Sequence, residues 1–192
     1  MAKRKQRSSP KNFFIEVSED ELEKLSQLKT PNQVVAVVKK FDVEKDIAVK
    51  GKISLVLDSI RDPGNLGTII RIADWFGVSQ IICSADCADV YNPKVVQSTM
   101  GSVARVKIFY TDLKEWLKQQ TETPIYAAML EGQDVTKMNG LKEGLIIIGN
   151  ESRGIDEEIA ALADEKITIP KKGEAESLNA AVAVGIVLSH LA

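Results

Sequence analysis

Short apolar runs alternate with amphipathic segments from about residue 51 to the C terminus. The apolar runs, such as Ile53–Leu57 and Gly144–Ile148, are rich in β-branched residues and carry no charge. Such runs are typical of strands buried on both faces, which occur in parallel sheets covered by helices. The pattern therefore predicts an α/β fold in which a parallel sheet is flanked by helices.

The alternation also gives the order of the predicted elements. Strands are predicted at residues 53–57, 80–83, 105–109, 125–129, 144–149 and 166–170. Helices are predicted at residues 69–76, 93–99, 113–117 and 157–162, with a last helix from about residue 177. Ligands of open parallel sheets bind beyond the carboxyl ends of the strands, so binding residues are expected in the loops that follow these strands.

Residues 12–50 carry fewer signals. Ser18 can cap a helix, and Glu21 follows it at the spacing of a capping box. A strand-like run, Val34–Val38, follows the segment Thr30-Pro-Asn. Two or three elements are too few to bury a core of their own, so this region is expected to belong to a larger module.

Charge is distributed unevenly along the chain. Lysine and arginine total 25 against 27 acidic residues, a net charge of −2, so composition alone does not indicate a nucleic-acid binder. Residues 1–11, which we predict to form a flexible tail, are nevertheless basic. A basic arm can attract phosphate, although a solvated mobile terminus has the same composition. The basic residues of this tail are Lys3, Arg4, Lys5, Arg7 and Lys11.

Composition excludes several classes of protein. Hydrophobic residues make up 44% of the chain, enough for a core, and no apolar run is long enough to cross a bilayer. Polar residues follow the basic start where a signal peptide would be apolar, so a cytoplasmic protein is expected. Cys83, Cys87 and the single histidine, His190, cannot complete a tetrahedral zinc site, and we expect two reduced thiols and no metal.

The loop after the first predicted strand has an unusual composition. Pro63-Gly64 is a turn signal, Asn65 is a natural helix cap, and Gly67 permits close approach of another backbone. The spacing fits neither of the common phosphate-binding glycine loops. Arg71 stands among apolar helix positions, where an arginine either extends its charge to solvent or points into a site.

Two later loops resemble binding turns. Gly149 and Gly154 bracket Glu151 directly after an apolar strand, in a binding turn or in a plain turn where Glu151 caps a helix. After the last strand, either Ser177 or Asn179 can cap the final helix. Small residues follow at 180, 181, 183 and 185, which either admit a close backbone or only reflect helix propensity.

Together the three loops resemble the signature motifs of the SpoU-type RNA 2'-O-ribose methyltransferases of the SPOUT superfamily. The matching stretches are residues 62–71, 147–155 and 169–183, in the family's order and spacing. Residues 97–102 also resemble a segment of that family, and the similarity covers about residues 30–192. One such motif would be weak, whereas three in series are highly specific.

The resemblance implies a SPOUT fold with a deep trefoil knot in its C-terminal part. It also implies S-adenosyl-L-methionine as cofactor, held in the knot largely by backbone groups and without a metal. The cofactor-binding residues expected from the motif positions are Ala128, Leu130, Gly132, Gly149, Asn150, Gly154, Ile169, Pro170, Ser177, Leu178 and Asn179.

The implied reaction is methyl transfer to a ribose 2'-hydroxyl of structured RNA, with rRNA expected more than tRNA. By resemblance, Arg71 would act at the hydroxyl, either as a base or by electrostatic activation. Two other classes stay open: a non-catalytic RNA-binding factor that keeps the knot, and a nucleotide-binding α/β enzyme. The catalytic residues expected from the motifs are Arg71, Asn65, Glu151, Ser177 and Asn179.

The resemblance also suggests a division of the chain. Residues 12–50 are similar to the end of an N-terminal RNA-binding domain and linker of longer family members, and residues 51–192 to the catalytic domain. Since the first motif and the C-terminal helix usually build the dimer interface in this family, we expect a homodimer with shared sites.

Overall fold

The structure, a computed structural model, describes residues 7–9, 12–26, 33–40 and 46–192. Two compact units divide the chain, Met1–Asp42 and Val43–Ala192. Most of the predicted basic tail lies outside the described residues. Within the described ranges, no helix combines the length and the apolarity needed to span a bilayer.

The first unit contains a short hairpin and one helix. Strand β1 (Arg7–Ser9) pairs antiparallel with β2 (Asn12–Phe14), and helix α1 covers Glu19–Leu25. The predicted capping box is confirmed, because the Ser18 hydroxyl accepts from the Glu21 N–H at 3.3 Å and the Glu21 carboxylate accepts from the Ser18 N–H at 3.0 Å.

Within the predicted tail, Arg7–Ser9 pair with β2 as a strand. One prediction for this unit is wrong. The strand predicted at Val34–Val38 is absent from the described stretch 33–40, where Val37 is 96% exposed. β-Branched residues favour a strand only where a neighbouring strand takes up their hydrogen bonds and side chains.

The second unit is built on a six-stranded sheet, and all its pairings are parallel. The strands lie side by side in the order β5-β4-β3-β7-β6-β8. The predicted parallel sheet is therefore confirmed. Its strands are β3 (Ile53–Leu57), β4 (Gln80–Ser84), β5 (Lys107–Thr111), β6 (Ile125–Asp134), β7 (Gly144–Ile148) and β8 (Glu165–Thr168).

In the described part of this unit, four helices and two 3-10 turns lie between these strands, and a fifth helix follows the last strand. The first helix starts six residues earlier than predicted, because the Asp62 carboxylate caps it by accepting from the Asn65 N–H at 2.8 Å. Pro63 occupies its first turn, where a missing N–H costs nothing. Neither the turn predicted at Pro63-Gly64 nor the cap predicted at Asn65 is correct. The helices are α2 (Pro63–Trp75), α3 (Pro93–Ser98), α4 (Leu113–Leu117), α5 (Glu157–Ala160) and α6 (Ala180–Leu191), and the 3-10 turns are Ser102–Ala104 and Val135–Lys137.

Helices cover both faces of the sheet. Leu55 and Leu57 of β3 belong to the larger hydrophobic cluster, which includes buried residues of α2 and α6. Val56, between them, belongs to the second cluster with residues of α4 and α5. This alternation, repeated in neighbouring strands, explains why the apolar runs are continuous.

The strand order reverses between β3 and β7. From β3 the chain moves outward through β4 to β5, and it returns to place β7 on the other side of β3. Beyond β7, strand β6 pairs with β8 in two registers, because Ala128 and Gln133 both lie opposite Ile167. From the edge strand β8 the chain returns to α6, whose Leu191 carbonyl accepts from the Leu141 N–H at 2.7 Å.

Helices α2 and α3 touch at Gly67. A Cβ at this position would lie 2.5 Å from the Ser98 Cβ and 2.6 Å from the Val95 carbonyl oxygen. The predicted close approach is therefore confirmed, and it fixes the distance between these two helices.

We expect Gly67→Ala to lower the free energy of unfolding by about 1–3 kcal/mol, because the added methyl forces the two helices apart. Gly185→Ala in α6 is the matched control: its nearest neighbour would be the Ile72 Cδ1 at 3.8 Å. That control should be neutral or stabilise by up to about 1 kcal/mol through helix propensity. Urea denaturation measures both variants, and equal effects would contradict the packing described for Gly67.

Candidate functional site

Three loops converge beyond the carboxyl end of the sheet. The Asn65 side-chain amide donates to the Glu151 carboxylate at 2.5 Å, and the Asn179 amide donates to the Asn65 carbonyl oxygen at 3.0 Å. The Ser177 hydroxyl joins them more weakly, donating to the Glu151 backbone carbonyl at 3.4 Å. Four of the five predicted catalytic residues therefore lie in one cluster, which we call the amide–carboxylate cluster.

Helix starts position the two amides. Because Asp62 caps α2, the Asn65 side chain is free to face the other loops. Asn179 itself caps α6, as predicted, with its carbonyl oxygen accepting from the Ala181 N–H at 2.9 Å. Its amide nitrogen is then left to bond Asn65, so capping and clustering use different atoms of one side chain.

The loop that carries Glu151 is a tight turn. Asn150 and Gly154 exchange backbone hydrogen bonds of 3.0 and 2.8 Å, and Gly154 has a φ of +73°, a conformation that favours glycine. A Cβ on Gly149 would clash with the Gly154 and Ile155 backbone. Glu151 does not cap the following helix, because Asp156 does. The two glycines are therefore required by the turn that holds Glu151.

The Asn150 side chain holds this turn in place. Its carbonyl oxygen accepts from the Ser152 N–H at 2.9 Å, and its amide donates to the Ser59 carbonyl at 2.9 Å. The buried Asp58 carboxylate accepts from the Asp156 N–H at 2.8 Å at the other end of the loop. The loop after β7 is thus fastened to the end of β3 at two points.

Sequence reasoning missed this fastening. The sequence signal for these contacts is Asp58, a carboxylate directly after an apolar strand. In the structure, Asp58 is only 5% exposed. The Ser59 hydroxyl donates to Asp86 at 2.9 Å. Hydrogen bonds from Ser84 and then from Arg61 lower the pKa of Asp86 to about 2, so this acceptor stays ionised at neutral pH.

Arg71 lies apart from the amide–carboxylate cluster. It follows Asn65 by six residues of α2, a rise of about 9 Å that also turns it to a different helix face. It is exposed, and no residue in the described part of the chain forms a hydrogen bond or an ion pair with it. Within one chain, therefore, the predicted arginine is not brought to the other predicted catalytic residues.

The loops predicted to hold a cofactor are open and partly apolar. Across residues 170–178 the backbone forms no hydrogen bond with the backbone of any other described residue. Leu130 is 76% and Leu178 is 46% exposed, while Gly132 has no room for a Cβ against the Lys166 carbonyl oxygen. Free backbone groups beside apolar side chains suit a ligand with an adenine and a thioether-like chain, so these residues fit S-adenosylmethionine.

The two cysteines are free and buried, as the sequence predicts. A hydrogen bond with the Cys83 thiol lowers the pKa of Cys87 to about 7. The same bond, together with burial, raises the pKa of Cys83. Over the described ranges, no three His, Cys, Asp or Glu side chains group together as a metal site would require.

The geometry agrees with a comparison to known families. The profile of the SpoU rRNA methylase family matches residues 52–189, which include all three loops. The chain belongs to the SpoU family. The assignment made from the three motifs is therefore confirmed.

Individual SpoU proteins show the same similarity. The 23S rRNA (guanosine(2553)-2'-O)-methyltransferase RlmP of Bacillus subtilis is 32% identical over 91% of this chain and 71% of its own length. The SpoU methyltransferase AviRb of Streptomyces viridochromogenes, solved with AdoMet, superposes with a TM-score of 0.77 at 30% identity, over 91% of this chain and 70% of that one. A TrmH/SpoU tRNA-modifying enzyme of A. aeolicus has a TM-score of 0.61 at 28% identity, over 73% of each chain.

The SpoU relatives are longer than this chain. It spans 71% of the Bacillus protein, but 64% and 59% of two further curated relatives.

A double-mutant cycle tests the contact at the centre of the cluster. Asn65→Ala and Glu151→Ala should show a coupling in the free energy of unfolding of about 1–3 kcal/mol, because a hydrogen bond to a charged group is lost. Asn65→Ala combined with the distant Lys50→Ala should be additive within about 0.5 kcal/mol. Additivity in both cycles would show that the Asn65–Glu151 contact contributes nothing.

Proposed function

We propose that this chain transfers a methyl group to a ribose 2'-hydroxyl of ribosomal RNA in the cytoplasm. As a SpoU family member it is an RNA 2'-O-methyltransferase, and its cofactor is S-adenosylmethionine. The observation that carries the proposal is the amide–carboxylate cluster, in which Asn65, Glu151 and Asn179 join the three family motifs by direct hydrogen bonds.

The cofactor lies in the open loops beside this cluster. Backbone groups of Gly149, Ile169 and Leu178 bind its polar atoms, and the segment from Ala128 through Leu130 to Gly132 covers its apolar parts. The remaining cofactor-site residues of the proposal are Asn150, Gly154, Pro170, Ser177 and Asn179. Asn150 contributes through the turn that it holds, because its side chain already has three partners.

The cofactor supplies a methyl group bonded to a positively charged sulfur. The chain must align the ribose oxygen with that methyl and help the hydroxyl lose its proton. Glu151, Ser177 and Asn179 hold the ribose in line. Arg71 stabilises the negative charge that develops on the oxygen as the hydroxyl proton passes to solvent water, since a guanidinium holds its own proton too tightly to act as a base.

Arg71 reaches a complete site in a homodimer. Trp75 is four residues after Arg71 on the same face of α2 and is 84% exposed. Val182 of α6 is 50% exposed, and α6 packs directly against α2. A second copy covers these apolar side chains, and each protomer supplies its Arg71 to the site of the other.

The knot and the domain division are part of the same proposal. Residues 51–192 form the catalytic domain, and residues 12–50 belong to an N-terminal RNA-binding domain and its linker. The trefoil knot forms where the chain returns from the edge strand β8 to α6. The bond between Leu141 and Leu191, which joins the β6–β7 connection to the end of α6, supports this path.

Transfer RNA is the second candidate substrate, because the A. aeolicus structure is of a tRNA-modifying enzyme. Tritiated-methyl transfer to unmodified rRNA and tRNA transcripts decides between them. We expect label on rRNA, at a position resistant to alkaline cleavage. Label on tRNA alone would show that tRNA, and not rRNA, is the substrate. Binding of both RNAs without any methyl transfer would indicate a non-catalytic RNA-binding factor.

Arg71→Ala should abolish methyl transfer and leave the affinity for S-adenosylhomocysteine within about twofold, because Arg71 acts in the transition state only. Arg71→Lys should recover part of the activity, since the charge is kept without the planar fork. Lys142→Ala, an exposed substitution outside the site, is the control. Turnover near wild type in Arg71→Ala would remove Arg71 from the mechanism.

Val182→Glu should convert the dimer to a monomer, because it buries an unpaired charge in the proposed interface. Light scattering after size exclusion measures the mass. In the monomer, methyl transfer should fall together with dimerisation, because each site then lacks the Arg71 of a second protomer. A fully active monomer would contradict shared sites.

A further inference from the structure

An open cavity of about 770 Å³ lies at the carboxyl ends of β3, β4, β5 and β7. This is where the strand order reverses, the place at which open parallel sheets bind ligands. Its volume is within the range of about 300–1,000 Å³ that is usual for small-molecule sites. The cavity is separate from the amide–carboxylate cluster, none of whose four residues lines it.

One loop divides the cavity from the cluster. The side chain of Glu151 reaches Asn65 on the cluster side. Asn150 and Arg153, before and after it in the same turn, line the cavity. A group bound in the cavity is therefore a near neighbour of a group bound at Glu151.

Most polar groups of the cavity wall already have partners. Asp58 and Asn150 fasten the loop after β7, and Arg61 is ion-paired with Asp86 at 2.5 Å. Lys114 is paired with Asp156 at 3.2 Å. These contacts hold the wall in shape, and they leave few groups to recognise a ligand.

Two charged side chains of the wall are uncommitted. Among the described residues, none forms a hydrogen bond or an ion pair with the Arg153 guanidinium or with the Glu157 carboxylate. The first offers five N–H donors suited to phosphate, and the second offers only acceptors. Leu113 and Ile155 add apolar surface to the same wall.

We infer that this cavity binds one nucleotide of the RNA substrate, adjacent to the nucleotide that is methylated. Arg153 binds its phosphate, Glu157 accepts from N–H donors of its base, and the apolar wall packs on the base. This inference rests on the proposed function, since it needs RNA at the neighbouring cluster. A free mononucleotide has the same chemistry, and the experiment separates the two sources.

Filling the cavity is the direct test. Ala85 is exposed and lines the cavity, so Ala85→Trp should occupy it without removing a hydrogen bond. Ala48→Trp, an exposed alanine just before β3 at the opposite edge of the sheet, is the matched control. We expect Ala85→Trp to raise the KM for unmodified 23S rRNA about tenfold, the usual effect of one lost base contact. Its affinity for S-adenosylhomocysteine should equal that of Ala48→Trp.

An unchanged KM for RNA in Ala85→Trp would overturn the inference. A loss of S-adenosylhomocysteine affinity as large as the rise in KM would also overturn it. Guanosine and adenosine 5'-monophosphates test the other source. If either one binds the wild-type chain but not Ala85→Trp, and the KM of Ala85→Trp for RNA is unchanged, the cavity binds free nucleotides. If Ala85→Trp does not fold, Arg153→Ala and Glu157→Gln take its place with the same expected rise in KM.

The proposed function can fail separately. If the wild-type chain transfers no methyl group to any RNA, that function is wrong, and equilibrium binding of the same rRNA then decides on the cavity. Weaker binding by Ala85→Trp than by Ala48→Trp would support the nucleotide site, and equal binding would overturn it.

Discussion

The hydrogen bond between the Asn65 amide and the Glu151 carboxylate connects loops that lie 86 residues apart in the chain. One loop follows β3 and the other follows β7, and these strands are neighbours at the point where the strand order reverses. Asn179 extends the connection to the start of α6, the last helix of the chain. The candidate site exists only while these three loops hold this arrangement, because no single loop carries enough groups to bind both a cofactor and a ribose.

The rest of the unit keeps that arrangement rigid. Helix α2 can present Asn65 because Asp62 caps it and because Gly67 lets α3 pack closely behind. The loop of Glu151 is fastened to β3 through Asp58 and Asn150, both of which use their side chains on the backbone of another segment. The geometry of the candidate site is therefore supported by hydrogen bonds outside the amide–carboxylate cluster.

Sequence was most informative where burial decides structure. The strand cores were predictable because both faces are covered, so that a run such as Leu145–Ile148 has no polar position. Starts of helices were less predictable, because a proline after Asp62 can begin a helix as well as a turn. The exposed segment around Val37 was predicted to be a strand and is not one. Its residues favour a strand, but no neighbouring strand in the described part of the chain pairs with them.

For the candidate site, the motifs named candidate residues, but they did not predict how those residues are arranged. The motifs pointed to Asn65, Glu151, Ser177 and Asn179, which come together, and to Arg71, which does not. Helix rotation places Arg71 on another face of α2, which the motif spacing alone does not show. Asp58 was missed because a lone carboxylate after a strand is common, and its role depends on a loop 98 positions away.

A crystal structure with S-adenosylhomocysteine tests most directly whether the loops after β7 and β8 form one cofactor site beside the amide–carboxylate cluster. We predict that the ligand contacts the backbone at Gly149, Ile169 and Leu178, with its sulfur facing the amide–carboxylate cluster and its adenine against Leu130. A ligand seated instead in the cavity at the ends of β3, β4 and β5, or in contact with only one of these two loops, would contradict this account.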